Sequence, residues 1–171
     1  MKIFVIFVKT GREKAVFREL KKRGFKPILP LKQEFRRVGE KWEIDEKIIF
    51  TNYVFLKCEL IENIHSEIRK IPDIQRILGA EDDDCVPFLK KHEQSYIEWL
   101  ANGGKSIKPS EILIKPDGQK VGVSGFLKKY SDFEYNPTRR EVLLNVEIGG
   151  FSHKIALPAV EKGEYEQEKN S

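Results

Sequence analysis

The chain has 171 residues, 40% of them hydrophobic and 34% charged, with a formal net charge of +4; it is long enough for one good core or two small ones. No apolar run approaches the ~20 residues of a membrane span, and the apolar start Ile3 to Val8 meets Lys9 without a small-residue cleavage site, so a soluble cytoplasmic protein with no membrane partner is expected. Two cysteines, Cys58 and Cys85, are too few and too unpatterned for a disulfide framework or a zinc site and read as free thiols; neither a metal nor a cofactor is expected.

Ile3 to Val8 reads as a buried strand. Gly11 then opens a helix running to about Arg23, with Gly24 placed to end it. Val16, Phe17 and Leu20 make its apolar stripe, and Lys14, Arg18, Lys21 and Lys22 fall together on the opposite face. Lys9 and Arg12 enlarge that cationic patch, which is either a solvated face or a phosphate-binding surface. The charge is uneven along the chain: Lys9 to Lys47 holds thirteen Lys/Arg against seven Asp/Glu, and Ile48 to Gly104 holds six against ten. Such asymmetry points to a local anionic partner.

Phe25 to Phe35 reads as an extended edge segment, because Pro27 and Pro30 cannot donate to a sheet ladder. A charged hairpin follows, turning at Gly39 and expected to project into solvent or toward a partner. Lys47 to Glu59 reads as one strand with two apolar faces: Val54, Leu56 and Cys58 on one, Tyr53 and Phe55 on the other. A strand needs one such face for a core. A second one carrying aromatics is either covered within the fold or a docking surface.

Ile61, Ile64, Ile68 and Ile71 mark a second amphipathic helix ending before Pro72, and Ile74 to Leu78 a short strand. Glu81 to Asp84 reads as a solvated acidic loop, since hard-cation sites space their ligands. Phe88 to Leu100 reads as a third helix, with Leu89, Ile97 and Leu100 as core positions. The segment 102–110, with Asn102-Gly103-Gly104, is the linker between a domain at 1–101 and a domain at 111–163; a polar tail at 164–171 is expected to fray. The first domain reads α+β, an antiparallel sheet covered by helices. The second reads as a small all-β barrel of short strands at 111–115, 119–130, 141–148 and 151–157 with Gly-rich turns.

An aromatic strand after a charged hairpin, a Gly-rich linker and a small barrel, in this order, resemble the NusG family of transcription elongation factors. Ile3 to Gly11 and Phe50-Thr51-Asn52-Tyr53-Val54-Phe55 are similar to its N-terminal (NGN) domain, where the family carries Phe-Pro-Gly-Tyr before the strand. Gly118, Gly122 and Gly125 keep the glycine spacing of its C-terminal KOW domain. Two departures, Thr51-Asn52 for Pro-Gly and Gln119-Lys120 for Pro-Phe, point to a specialised paralogue in the manner of RfaH or LoaP.

The resemblance implies a ferredoxin-like NGN fold joined to an SH3-like barrel, no catalysis, and a monomer that docks the clamp helices of the largest RNA polymerase subunit. Phe50, Tyr53 and Phe55 match the docking depression, and His65-Ser66 a polar contact to the opposite jaw of the polymerase cleft. Lys9, Arg12, Lys22 and Arg23 match positions near the non-template DNA strand, where phosphate contacts would be salt-dependent. Lys120, Lys128, Lys129, Arg139 and Arg140 are the candidates for holding an RNA hairpin, because the loop 128–140 mixes cations with aromatics, although Tyr130 and Phe133 could equally cap the barrel core. The implied outcome is processive antitermination at specific operons. The alternatives are a KOW-type RNA-binding or ribosome-associated protein without polymerase contact, and an acylphosphatase-like hydrolase built on Arg12 and Asn52, which lacks a glycine-rich phosphate cradle and a paired base and nucleophile.

Overall fold

The computed structural model describes residues 2–59, 64–78 and 88–163. The Glu81–Asp84 acids, Cys85 and the tail from residue 164 lie outside them. In chain order the elements are β1 (Lys2–Val8), α1 (Glu13–Lys22), β2 (Lys26–Ile28), β3 (Leu31–Val38), β4 (Lys41–Ile48), β5 (Tyr53–Cys58), α2 (Ile64–Arg69), β6 (Ile74–Ile77), α3 (Lys91–Ala101), β7 (Ser110–Ile114), β8 (Lys120–Gly122), β9 (Glu134–Asn136), β10 (Glu141–Ile148) and β11 (Phe151–Glu161). Short 3₁₀ turns lie at Asn102–Gly104 and Gly125–Lys129. The chain divides into two compact units: Met1–Pro30, Phe50–Gly104 and Glu147–Phe151 form the first, and Leu31–Ile49, Lys105–Val146 and Ser152–Ser171 the second.

The first unit is α+β. Its antiparallel sheet has the order β2-β5-β1-β6. Alternation in β1 and β5 sends Phe4, Ile6, Val8, Val54, Leu56 and Cys58 into one core with Val16 and Leu20 of α1 and Ile64 and Ile68 of α2. Each such large apolar side chain stabilises the unit by about 1.5–3 kcal/mol on burial. α1 closes with the Phe25 N–H donating to the Leu20 carbonyl and the Gly24 N–H to that of Lys21, both at 3.1 Å, the Schellman pairing expected of Gly24. Burial also pushes the Cys58 thiol up to about 11, so it stays protonated and inert at neutral pH.

The other sheet face is apolar too: Ile3, Val5 and Phe55 are buried. α3 is tied to it by the Lys57–Glu98 ion pair, and the Leu89 N–H donates to the Ile3 carbonyl at 2.9 Å. α3 begins at Lys91, later than Phe88, because the Glu93 carboxylate accepts the Lys90 N–H at 2.6 Å and fixes the first turn there. The buried Glu93 also accepts the Gly150 N–H at 3.2 Å.

The expected single strand over 47–59 is broken. Phe50 to Asn52 form a turn, and Asn52 has φ 69°.

In the second unit a five-stranded sheet has the order β8-β7-β11-β10-β9, with β11 parallel to β7. The hairpin β3-β4 pairs along its whole length, from Leu31 opposite Ile48 to Val38 opposite Lys41. Its tip is exposed, as expected, but its base is pinned within this unit. The Gln33 N–H donates to the Ile107 carbonyl and the Ile107 N–H to that of Leu31, both at 2.8 Å. The Lys32 ammonium donates to the Ala156 carbonyl at 2.8 Å.

The expected strand 119–130 is only three residues long before the chain coils into the 3₁₀ turn. Buried Ser110 is the reason: its Oγ accepts the Phe126 N–H at 2.9 Å and the Leu127 N–H at 3.4 Å, bonds that a continuing strand could not make.

Candidate functional site

Two surfaces, one in each unit, gather some of the candidate residues. On the first, period-two alternation and the pairing of Phe7 with both Tyr53 and Arg76 bring three side chains to the same sheet face. The Phe7 and Tyr53 rings are 5.5 Å apart, and the Arg76 guanidinium lies 5.4 Å from the centre of the Phe7 ring. Phe7 and Tyr53 are half-buried and Arg76 is exposed.

The three aromatics expected to form one exposed face do not do so. Phe50 and Phe55 are 5% and 1% exposed and stack edge to face at 5.5 Å, so only Tyr53 of that set reaches solvent. Phe50 left the strand for the turn, and its ring returns over Phe55 instead of pointing outward. Phe7 and Arg76 were missed by the sequence reading. Alternation alone puts Phe7 opposite Phe4, Ile6 and Val8, whereas Arg76 depends on the register of β6, which no local pattern reveals.

His65, second residue of α2, is half-buried, with its Nε2 buried and without a hydrogen-bond partner among the described residues, and Ser66 beside it is exposed. Lys9, Arg12, Lys22 and Arg23 are all exposed; Arg12 pairs with Asp73 at 3.5 Å and Arg23 with Glu19 at 3.0 Å. Such surface pairs contribute about 0–1 kcal/mol and yield readily to a phosphate.

α1 is positioned by one buried carboxylate. Glu13 Oε1 accepts the Asn52 N–H at 2.8 Å, while the Asn52 amide donates to the Val8 carbonyl at 3.3 Å and to Thr10 Oγ1 at 2.7 Å. Asn52 therefore does the work of a positive-φ glycine, since Asn is among the few residues that tolerate this conformation.

The second surface is an open groove of about 670 Å³ lined by Lys115, Lys120, Lys128, Tyr130 and Phe133 among others. Its shape depends on two glycines. A Cβ on Gly122 would strike the Leu127 carbonyl, and one on Gly125, at φ 61°, would lie 2.7 Å from Ser110 Oγ.

Lys129 lies in the adjoining 3₁₀ turn. Arg139 and Arg140 do not line the groove. Arg140 is engaged elsewhere in its unit: its guanidinium lies 4.5 Å from the Trp42 ring centre and 5.5 Å from that of Phe35. Arg139 approaches Glu141 at 3.9 Å. Of the C-terminal cations expected to act together, Lys120 and Lys128 thus share the groove, whereas Arg139 and Arg140 have separate partners outside it. Among the described residues, no cluster of three or more His, Cys, Asp or Glu could hold a metal ion, and no helix is long and apolar enough to cross a membrane.

An α+β unit is followed in the chain by a small β-sheet unit, and each carries a place where cations and aromatic rings meet. The family model described as transcription termination factor NusG matches residues 1–97, more than half of the chain. The chain belongs to the NusG family, non-enzymatic transcription factors that bind RNA polymerase.

Among solved structures, one described as "Domain interaction in Thermotoga maritima NusG" is similar in fold at 20% identity and a TM-score of 0.55, over 92% of this chain and 93% of that one. None of the curated proteins compared with the chain matches it.

Proposed function

We propose that this protein is a specialised transcription elongation factor that docks on the clamp helices of the largest RNA polymerase subunit and promotes processive antitermination at specific operons. The observation that carries this reading is the Phe7–Tyr53–Arg76 cluster, on the part of the chain that matches the family. Two accessible rings with a guanidinium on one of them are the side-chain types that dominate binding energy at protein interfaces. Phe50 and Phe55, buried and stacked on each other, belong to the core beneath this surface, and His65-Ser66 is the candidate second contact with the polymerase. Lys9, Arg12, Lys22 and Arg23 supply cations for the exposed non-template DNA strand.

The specialisation rests on Gln119-Lys120, which puts a cation at the rim of the C-terminal groove; the C-terminal unit is the contact for an RNA hairpin. Thr51-Asn52 adds nothing to it, because Asn52 keeps the backbone conformation of a glycine.

Co-purification tests the docking. A Phe7→Ala/Tyr53→Ala double variant should bind polymerase about 30-fold more weakly or worse, as for loss of a hot spot of about 2 kcal/mol or more. Equal recovery of polymerase with that variant and the parent would refute it. Transcription through a terminator on a purified template, with and without the protein, decides whether the outcome is read-through.

A further inference from the structure

The groove of the second unit has a composition that phosphate binding alone does not require. Among the described residues, three lysines, Lys115, Lys120 and Lys128, line it together with the rings of Tyr130 and Phe133, and none of those lining it is a carboxylate. Lys115 Nζ donates to Gln119 Oε1 at 2.7 Å, and the turn beneath is held by the Gln119 N–H on Asp117 Oδ1 at 2.9 Å. One wall is thus a braced hairpin turn, and the other is the 3₁₀ turn fixed by Ser110. Gly118 and Gly122, without side chains, leave depth between them. At about 670 Å³, the space falls among small-ligand pockets of roughly 300–1,000 Å³, room for a nucleobase and its flanking phosphates.

We propose that this groove binds an unpaired stretch of RNA, with Lys115, Lys120 and Lys128 on its phosphates and Tyr130 or Phe133 stacked on a base. This rests on the nucleic-acid reading of the C-terminal unit given above and sharpens it. A duplex offers phosphates but keeps its base faces stacked inward, so it can use the lysines and not the rings. A loop, bulge or single strand can use both. Arg139 and Arg140, held outside the groove, take no part.

Fluorescence anisotropy of the full-length protein, with a labelled unstructured RNA of about twelve nucleotides and a blunt duplex of equal length, tests this. The unpaired RNA should bind at least about tenfold tighter than the duplex. Phe133→Leu keeps apolar volume but removes the π face, and should cost about tenfold for the unpaired RNA, within the 1–3 kcal/mol assigned to one base stack. Lys120→Gln/Lys128→Gln should lower the slope of log affinity against log salt by about 1.4, for two single-strand phosphate contacts. Lys108→Gln, outside the groove, should leave binding unchanged, and thermal melts establish that each variant is folded.

Equal affinity for duplex and single strand with a silent Phe133→Leu would overturn the groove assignment while leaving an RNA-binding unit. No binding of either RNA would overturn both readings. Displacement of the RNA by oligoglutamate at equal affinity would show a generic anion site and likewise refute the stacking role.

Discussion

Asn52 shows how much one side chain can settle. Its carbonyl accepts the Val8 N–H at 2.8 Å, its own N–H is taken by Glu13, and its amide bridges Val8 and Thr10, all at φ 69°. Asn52→Gly keeps the backbone and loses only the amide bonds, so it should cost about 1 kcal/mol. Asn52→Val must carry a β-branched residue at positive φ as well, and should cost about 2–4 kcal/mol, lowering the melting temperature by roughly 5–10 °C. Calorimetry of the two variants checks the order.

Cys58 offers a second test at this scale. With its folded pKa at about 11 against an ordinary 9.0, the folded state keeps a proton that the unfolded chain loses. Stability from this group is therefore complete below about pH 9 and declines as pH rises toward 11. In a Cys85→Ser background, a thiol reagent at pH 8 should label Cys58 only after denaturation; prompt labelling of the native protein would contradict its burial.

At the scale of elements, buried Ser110 and half-buried Arg140 hold segments that hydrophobic patterning does not. Ser110 joins β7 to the 3₁₀ turn, so Ser110→Ala leaves two N–H groups without that acceptor and should destabilise the second unit by about 1–3 kcal/mol, read from its denaturant midpoint. Arg140 joins the C-terminal chain to the β3-β4 hairpin through Trp42 and Phe35. Arg140→Ala should lose about 0.5–2 kcal/mol and speed amide exchange in β3 and β4, with no change in affinity for unpaired RNA. Both contacts escape a sequence reading because they join residues far apart in the chain. The 128–140 loop did announce cations and aromatics, but not that Arg140 would be spent on the hairpin.

At the scale of the molecule, the proposed functions give the two surfaces separate tasks, so their variants should separate as well. Phe7→Ala/Tyr53→Ala should weaken polymerase binding about 30-fold or more and spare RNA affinity, while Phe133→Leu should cost about tenfold for unpaired RNA and spare polymerase recovery, and the combined variant should show both losses additively because the sites share no side chain. Parallel co-purification and anisotropy on the three proteins measure this. The charge asymmetry read from composition has its counterpart here in the exposed cations at Lys9, Arg12 and along α1.

The sequence by itself determined the α+β first unit, the short-stranded β character of the second, the Val54, Leu56 and Cys58 core face, the end of α1 and the family. Each rests on local periodicity, turn residues or motif order, which are properties of neighbouring positions. Only the tertiary structure decided which aromatics stay accessible, that Arg76 joins Tyr53's neighbour Phe7, that the hairpin base is pinned to Ile107 and Ala156, and that Lys115, Lys120 and Lys128 share a groove while Arg140 does not. Those outcomes depend on register and on long-range hydrogen bonds, whose energies are set by partners distant in the chain and invisible to any local pattern.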